Sequence, residues 1–347
     1  MVHNSKTNKP VAYWLFLVAA LACIMVVLGG VVRLTESGLS MVDWHLVTGM
    51  FPPATQDGWL EEFGKYQQSP EYQKVNYGMA LSEFKFIFYM EYIHRMLGRL
   101  TGLVYFLPFL FFWRKGAIQR RDLLKFIGIG ALLGLQGLYG WYMVKSGLID
   151  MPRVSHYRLT GHLLLALAFL ALCVWTGLSW LNRDAAKSTI AVSSRTRQAT
   201  MTTFVLLLIQ ITLGGFVAGL RAGLVSNTFP KMAGAWLSDL IWSLQPWYAN
   251  FFENPFMLHF LHRWNGFVVL IVAGIMIFRF RREDISFVMQ ITLRMFMMLI
   301  AAQVFLGILT ILLQVPVAMA SLHQAVALLL FVVLLVVLFQ VKNSEKC

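Results

Sequence analysis

Acidic residues and thiols are what this chain has least of. Of 347 residues only 16 are Asp or Glu, and charged residues make up 13%. That is about half the share typical of soluble domains, so an ordinary solvated surface cannot be assembled from this composition. The three cysteines are Cys23 and Cys173, which fall inside apolar runs, and Cys347, the last residue. No CxxC or CxxCH is present, which excludes a thiolate metal site, a covalent c-type attachment and a disulfide framework. The HExxH pattern of zinc proteases is also missing. The opening residues, MVHNSKTNKP, are short and polar. They read as neither a cleavable signal nor an Arg-rich transit peptide, so a bacterial cytoplasmic (inner) membrane is the expected location.

What is present is apolar and grouped. Hydrophobic residues make up 58% of the chain, in runs long enough to cross a hydrocarbon core of ~30 Å, which takes ~20 helical residues. The pattern predicts spans at about 11–32, 85–112, 123–144, 157–181, 200–220, 256–278, 288–313 and 318–341. A net charge of +13 would suggest nucleic acid in a soluble protein. Here the basic residues sit in alternate short connections: Lys6 and Lys9, then Arg114 to Arg121, Arg183 to Arg197, Arg279 to Arg282, and Lys342 with Lys346. That distribution is a topology signal placing both termini in the cytoplasm, and it makes the lipid bilayer the partner, with no nucleic acid. The long connections 33–84 and 221–255, rich in Trp, Tyr, Pro and Gly, then lie outside as a cap at the membrane surface.

The two halves repeat. Gly29-Gly30-Val31-Val32 in the first span matches Gly214-Gly215-Phe216-Val217 in the fifth, and YIHRMLG (92–98) matches FLHRWNG (260–266). Gln136 and Gly140 match Gln303 and Gly307, and His162 leads the fourth span as His323 leads the eighth. Each repeat holds an even number of spans, so the two share one orientation about an axis along the membrane normal. The expected fold class is an all-α polytopic membrane protein, its eight transmembrane helices arranged as two pseudo-symmetric four-helix bundles, residues 1–182 and 183–347.

His94, His162, His262 and His323 occupy equivalent places at similar depth, in the outer half of the bilayer. Ionisable groups inside a membrane are costly and raise a functional hypothesis by default. Four separate structural histidines are the bland alternative, which the repeated pattern argues against. Imidazole is a common iron ligand, and bundle cores hold cofactors between side chains on facing helices. Two histidines per repeat supply both axial positions of one heme, which gives two heme sites with His94, His162, His262 and His323 as metal ligands. His3, His45 and His156 are assigned to surface or interface positions.

The repeats differ at one point. Glu91 precedes His94 by three residues, where His259 precedes His262. At that spacing each lies on the face of its neighbour. Glu91 is then either a partner for Arg95 or Arg99, or a group placed for chemistry, with one half storing a cofactor while the other works. Arg33, Arg95, Arg221 and Arg263, near the outer span ends, either pair with heme propionates or mark the interface.

The stretches GGVVRLTESGLSMVDWHLVTGMFPP (29–53) and EFKFIFYMEYIHRMLGR (83–99) resemble the signature of heme A synthases, in the form shared by mitochondria and related proteobacteria. YRLTGHL (157–163), LHRWNG (261–266) and SLHQAVA (321–327) agree, so the resemblance covers nearly the whole chain. It implies an oxidoreductase that converts the C8 methyl of heme O to the formyl group of heme A. It further implies a resident heme b on His262 and His323; of the span-end arginines, Arg95 and Arg263 are taken as the cofactor-binding pair. The substrate heme falls to His94 and His162, and Glu91 to the acidic position that assists the reaction. The implied partners are an electron acceptor, the heme O synthase and cytochrome oxidase assembly factors; a homo-oligomer is left open. Some family members carry a cysteine pair in the first outer loop, which this chain lacks. The rival readings are a diheme b-type electron carrier and a two-repeat transporter. Ligands all lying toward one face argue against transmembrane electron transfer, and spans without paired Gly or Pro breaks at the histidines argue against transport.

Overall fold

The computed structural model describes residues 8–43, 51–147, 153–183 and 188–346. His3, His45 and Cys347 lie outside the described residues. The chain runs α1 (Asn8–Leu34), α2 (Gln56–Gln67), α3 (Pro70–Lys74), α4 (Leu81–Arg114), α5 (Arg120–Gly147), α6 (His156–Leu181), α7 (Ser194–Gly219), α8 (Asn250–Glu253), α9 (Pro255–Phe280), α10 (Phe287–Leu312) and α11 (Val317–Asn343). Strands β1 (Ser188–Val192) and β2 (Ser344–Lys346) add a two-stranded parallel ribbon that the sequence reading did not anticipate. Eight of the helices (α1, α4, α5, α6, α7, α9, α10 and α11) are long and apolar enough to cross a membrane. They coincide with the eight expected spans, several of them running one or more turns longer. Their outward faces expose large apolar side chains, among them Leu107, Ile271, Met298 and Phe305. Apolar exposure on that scale is the mark of a lipid-facing surface, and the chain is a multi-pass membrane protein.

Two compact units divide it: Trp14–Leu170, and the chain up to Tyr13 together with Ala171–Cys347. In the first, an aromatic cluster joins α1, α4, α5 and α6. Trp14 lies 5.9 Å from Phe126 with nearly parallel rings and 5.4 Å from Tyr105, which reaches Phe169 at 6.2 Å. A buried Tyr or Trp needs a partner for its polar end. The Tyr105 hydroxyl donates to the Phe126 carbonyl at 2.6 Å, and the Trp14 indole N–H donates to the Val104 carbonyl at 2.7 Å. The second bond has a covalent cause. Pro108 sits inside α4, has no N–H, and leaves the carbonyl four residues earlier without its helical donor. That carbonyl is Val104, and Trp14 supplies the donor that apolar surroundings withhold.

Outside the spans of this unit, α2 and α3 pack Trp59, Phe63 and Tyr66 against Phe84, Ile87 and Phe88 at the start of α4. Thr55 caps α2 and Ser69 caps α3, with Pro70 in the first helical turn. In the other unit, α7 packs chiefly on α9, and α10 on α11. Its 221–255 connection folds into short 3-10 turns and α8. Two fully buried asparagines pin that connection: Asn250 donates to the carbonyls of Leu244 and Trp247, and Asn254 to that of Leu240. Asn254 also caps α9. At the opposite end, the Glu283 carboxylate accepts from the Ser193 and Thr196 hydroxyls that open α7, and Arg197 donates to the Ser344 carbonyl.

Candidate functional site

In the first unit His94 projects from α4 and His162 from α6, within electrostatic range of each other. Each imidazole lies against a glycine of a neighbouring helix. A Cβ added at Gly29 of α1 would come 3.2 Å from His94 Nε2, and one at Gly140 of α5 would come 3.2 Å from His162 Cε1. The Gln136 amide, one turn before Gly140, donates to the His162 carbonyl at 3.0 Å.

The second unit repeats the arrangement. His262 on α9 and His323 on α11 face each other with ring centroids 6.5 Å apart and planes at 80°. A Cβ at Gly214 of α7 would lie 3.2 Å from His262, and one at Gly307 of α10 only 2.9 Å from His323. The Gln210 amide donates to the His262 carbonyl at 3.0 Å, and Gln303 Nε2 stands 3.3 Å from His323 Nε2. Small residues let membrane helices approach closely; here each one makes room for an imidazole.

The four histidines thus fall into two pairs, one per unit. The second pair has the separation that a shared metal requires. Nitrogens at about 2 Å from an ion, with each ring centre roughly 1 Å further out, put the centroids about 6 Å apart. Among the described residues no group of three or more His, Cys, Asp or Glu side chains comes together to hold a metal ion. Two nitrogens alone suit a cofactor that brings its own equatorial ligands, as heme does. Nδ1 of His162 and Nδ1 of His323 are buried without a hydrogen-bond partner among the described residues, a state that buried polar atoms seldom keep. The donor set therefore fits heme.

Glu91 is buried one turn before His94. Its Oε2 accepts from Ser40 Oγ at 2.7 Å and from the Met41 amide at 2.9 Å, while its Oε1 pairs with Arg95. Arg95 also donates to the carbonyls of Met41 and Asp43 at 3.0 and 3.2 Å. The second unit has the same plan with a different acceptor. Arg263 Nε donates to His259 Nε2 at 2.9 Å, and its terminal nitrogens reach the carbonyls of Ser226 and Lys231 at 3.2 and 3.4 Å. In both units the motif arginine fastens the connection that precedes its helix to the turn carrying the histidine. Arg33 lies in the last turn of α1, and Arg221 follows α7 with a left-handed φ of 53°.

A second acidic group stands near the first site. Glu71 of α3 is buried, and burial followed by the negative charge of Glu91 pushes its carboxyl up to about 8, against the pull of the Tyr66 hydroxyl that donates to it at 3.3 Å. The same surroundings raise the Tyr66 phenol, burial foremost. A cleft of about 620 Å³ opens beside them, lined by Thr35, Asn76, Met79 and Ile87, the last one turn before Glu91.

His156, expected at the surface or an interface, begins α6 and is buried, with the Tyr157 ring 4.0 Å away, which leaves the interface alternative. Gln210 and Ser40 were missed. The spacing Gln136–Gly140, Gln210–Gly214, Gln303–Gly307 was available as a signal for the first. None marked the second, whose partner is 51 residues away.

Helix-borne histidine pairs, each facing across the interior of a multi-pass helical unit, define a membrane protein of the cofactor-holding kind. The chain belongs to the COX15-CtaA family of cytochrome oxidase assembly proteins, whose model matches residues 12–335. It is 47% identical over 324 residues to the heme A synthase of Nitrosospira multiformis, covering 93% of this chain and 91% of that protein. It is 42% identical to heme A synthase COX15 of Bos taurus (99% and 84% covered) and 43% identical to that of Homo sapiens (94% and 81%).

Proposed function

We propose that the chain is a heme A synthase, an oxidoreductase of the inner membrane that converts the C8 methyl of heme O to the formyl group of heme A. The observation that carries this reading is one frame built twice with an exchange three residues before the motif histidine. Both units pair two histidines against two glycines, but Glu91 in the first stands where His259 stands in the second. The first repeat, residues 1–182, takes the substrate heme on His94 and His162. The second, 183–347, keeps a resident heme b on His262 and His323. When bound, the iron supplies the electron chemistry.

The chain supplies position and charge. The histidines would hold each heme between facing helices, and the glycines leave the room their imidazole rings occupy. Methyl to formyl is a four-electron oxidation, through an alcohol to a hydrated aldehyde that loses water: incoming water supplies the oxygen, the electrons pass to the acceptor, and protons leave, with positive charge developing at the reacting carbon. Three donors from Ser40, Met41 and Arg95 hold the Glu91 carboxylate as a fixed negative charge. This favours electrostatic stabilisation; Oε1, which accepts from Arg95, keeps a lone pair with which to take a proton. Arg95 and Arg263 donate to backbone carbonyls of the neighbouring connections, and Arg33, Arg95, Arg221 and Arg263 are the candidates to face propionates. Basic alternate connections support termini in the cytoplasm and sites toward the outer face, where an electron acceptor, the heme O synthase and oxidase assembly factors meet the protein.

The test is extraction and chromatographic identification of the hemes from protein produced in cells that make heme O. Heme b together with heme O, heme A or a hydroxylated intermediate is the expected result. Heme b alone at two per chain overturns the proposal in favour of a diheme electron carrier.

A further inference from the structure

We propose that Tyr139 is a positioning residue that sets the plane of the His162 imidazole, a device given to the first histidine pair and withheld from the second. This rests on the reading above that His94 and His162 hold heme.

The Tyr139 ring lies 6.0 Å from His162 with the planes only 18° apart. The stack exists because residue 161 has no side chain. A Cβ at Gly161 would meet the Tyr139 hydroxyl oxygen at 2.5 Å and its ring carbon Cζ at 3.1 Å, distances at which something must move. The repeat register gives the counterparts directly. Gly140 matches Gly307 and His162 matches His323, so Leu306 stands opposite Tyr139 and Leu322 opposite Gly161. One half uses a large ring beside an absent side chain; the other uses two leucines. Neither Tyr139 with a leucine at 161, nor a leucine at 139 with Gly161, fills that space without clash or void, so the two differences form one unit.

The second pair orients its histidine by other means. Gln303 Nε2 stands 3.3 Å from His323 Nε2, whereas the matching Gln136 amide is committed to the His162 backbone carbonyl. A ligating histidine usually has its ring rotation fixed by a hydrogen bond at its other nitrogen. Among the described residues neither ring nitrogen of His162 makes a hydrogen bond, whereas His323 has Gln303 at Nε2, and the phenol face takes over that task by stacking. The ring orientation decides how an axial imidazole overlaps the iron orbitals, and so marks the spectrum of a bound heme.

The experiment is electron paramagnetic resonance of the oxidised full-length protein purified from cells that make heme O. The low-spin signal of the first site is assigned by its loss in His162→Ala. If that variant loses no signal, the ligand reading falls and this proposal with it. Where the signal is assigned, Tyr139→Leu is expected to shift its highest g value and Tyr139→Phe to leave it in place, with the signal of the His262 and His323 site unmoved in both. An unshifted signal in Tyr139→Leu overturns the proposal. So does an equal shift in Tyr139→Phe, since the hydroxyl would then be the acting group. Should Tyr139→Leu fail to accumulate, Tyr139→Leu with Gly161→Leu fills the void as the second half does. The same shift there supports the proposal, and a wild-type signal overturns it.

Discussion

Replacing Gly307 with alanine is the smallest change that addresses the histidine frame directly. The new Cβ would sit 2.9 Å from His323 Cε1 and 3.5 Å from Nδ1. Carbon atoms rest at about 3.5–4.0 Å, so the imidazole must retreat by roughly half an ångström. The His262 ring, 6.5 Å away centroid to centroid, limits that retreat when an ion lies between. Overpacking of this kind costs about 1–3 kcal/mol, partly offset by about 1 kcal/mol from alanine in a helix. The net is up to about 2 kcal/mol, and with about 1.4 kcal/mol per tenfold heme b should bind up to about thirtyfold more weakly. The assay is heme retained per chain through graded dilution, with Gly134→Ala as control, since a Cβ at Gly134 meets nothing within 4 Å. Gly214→Ala, at 3.2 Å, should fall between. Equal retention in Gly307→Ala and Gly134→Ala would refute the argument that glycine is present to seat the ring.

The remaining predictions concern the acidic groups and the helix frame. His323→Ala should lose the resident heme b, read as one heme fewer per chain. Glu91→Gln should keep that heme yet form no heme A, read by chromatography of the extracted hemes; full heme A formation would remove Glu91 from the mechanism. Glu71 carries its proton in the folded protein up to about pH 8, against an ordinary value of 4.5. The folded state therefore binds the extra proton between those values, and stability falls across that window by about 1.4 kcal/mol for each step of one in pH. Glu71→Gln should flatten the dependence of thermal unfolding temperature on pH from 5 to 8; an unchanged slope would place the titrating group elsewhere. Trp14→Phe should leave the Val104 carbonyl unsatisfied beside Pro108, at about 1–3 kcal/mol, seen as a lower melting temperature in detergent, whereas Pro108→Ala in the same background should restore much of the loss.

The spans were legible because a helix in lipid must satisfy its own backbone and present apolar side chains all round, and both demands are written locally. The histidines were legible because the chain repeats itself, so 94, 162, 262 and 323 stood out as a set where one alone would not have. Gly29, Gly140, Gly214 and Gly307 were visible as repeat markers, but their purpose was not: a glycine against an imidazole is a contact between helices, and spacing along one helix does not encode it. Glu91 shows the same limit. Its three residue distance from His94 was plain, whereas Ser40 and Met41 reach it from some fifty positions away. The β1–β2 ribbon pairs segments with 147 residues between Arg197 and Ser344 holding its edge, a closure no local pattern announces.

The arginine clasps have a mechanical consequence. Arg95 grips the backbone at residues 41 and 43 while Glu91 grips 40 and 41, and Arg263 grips 226 and 231. Each outer connection is thereby bolted to the same helical turn that bears a histidine, and the two travel as one piece. On the proposed reading, a protein that gripped either connection would hold a heme-binding imidazole by its handle, and could steady or tilt it without reaching into the membrane.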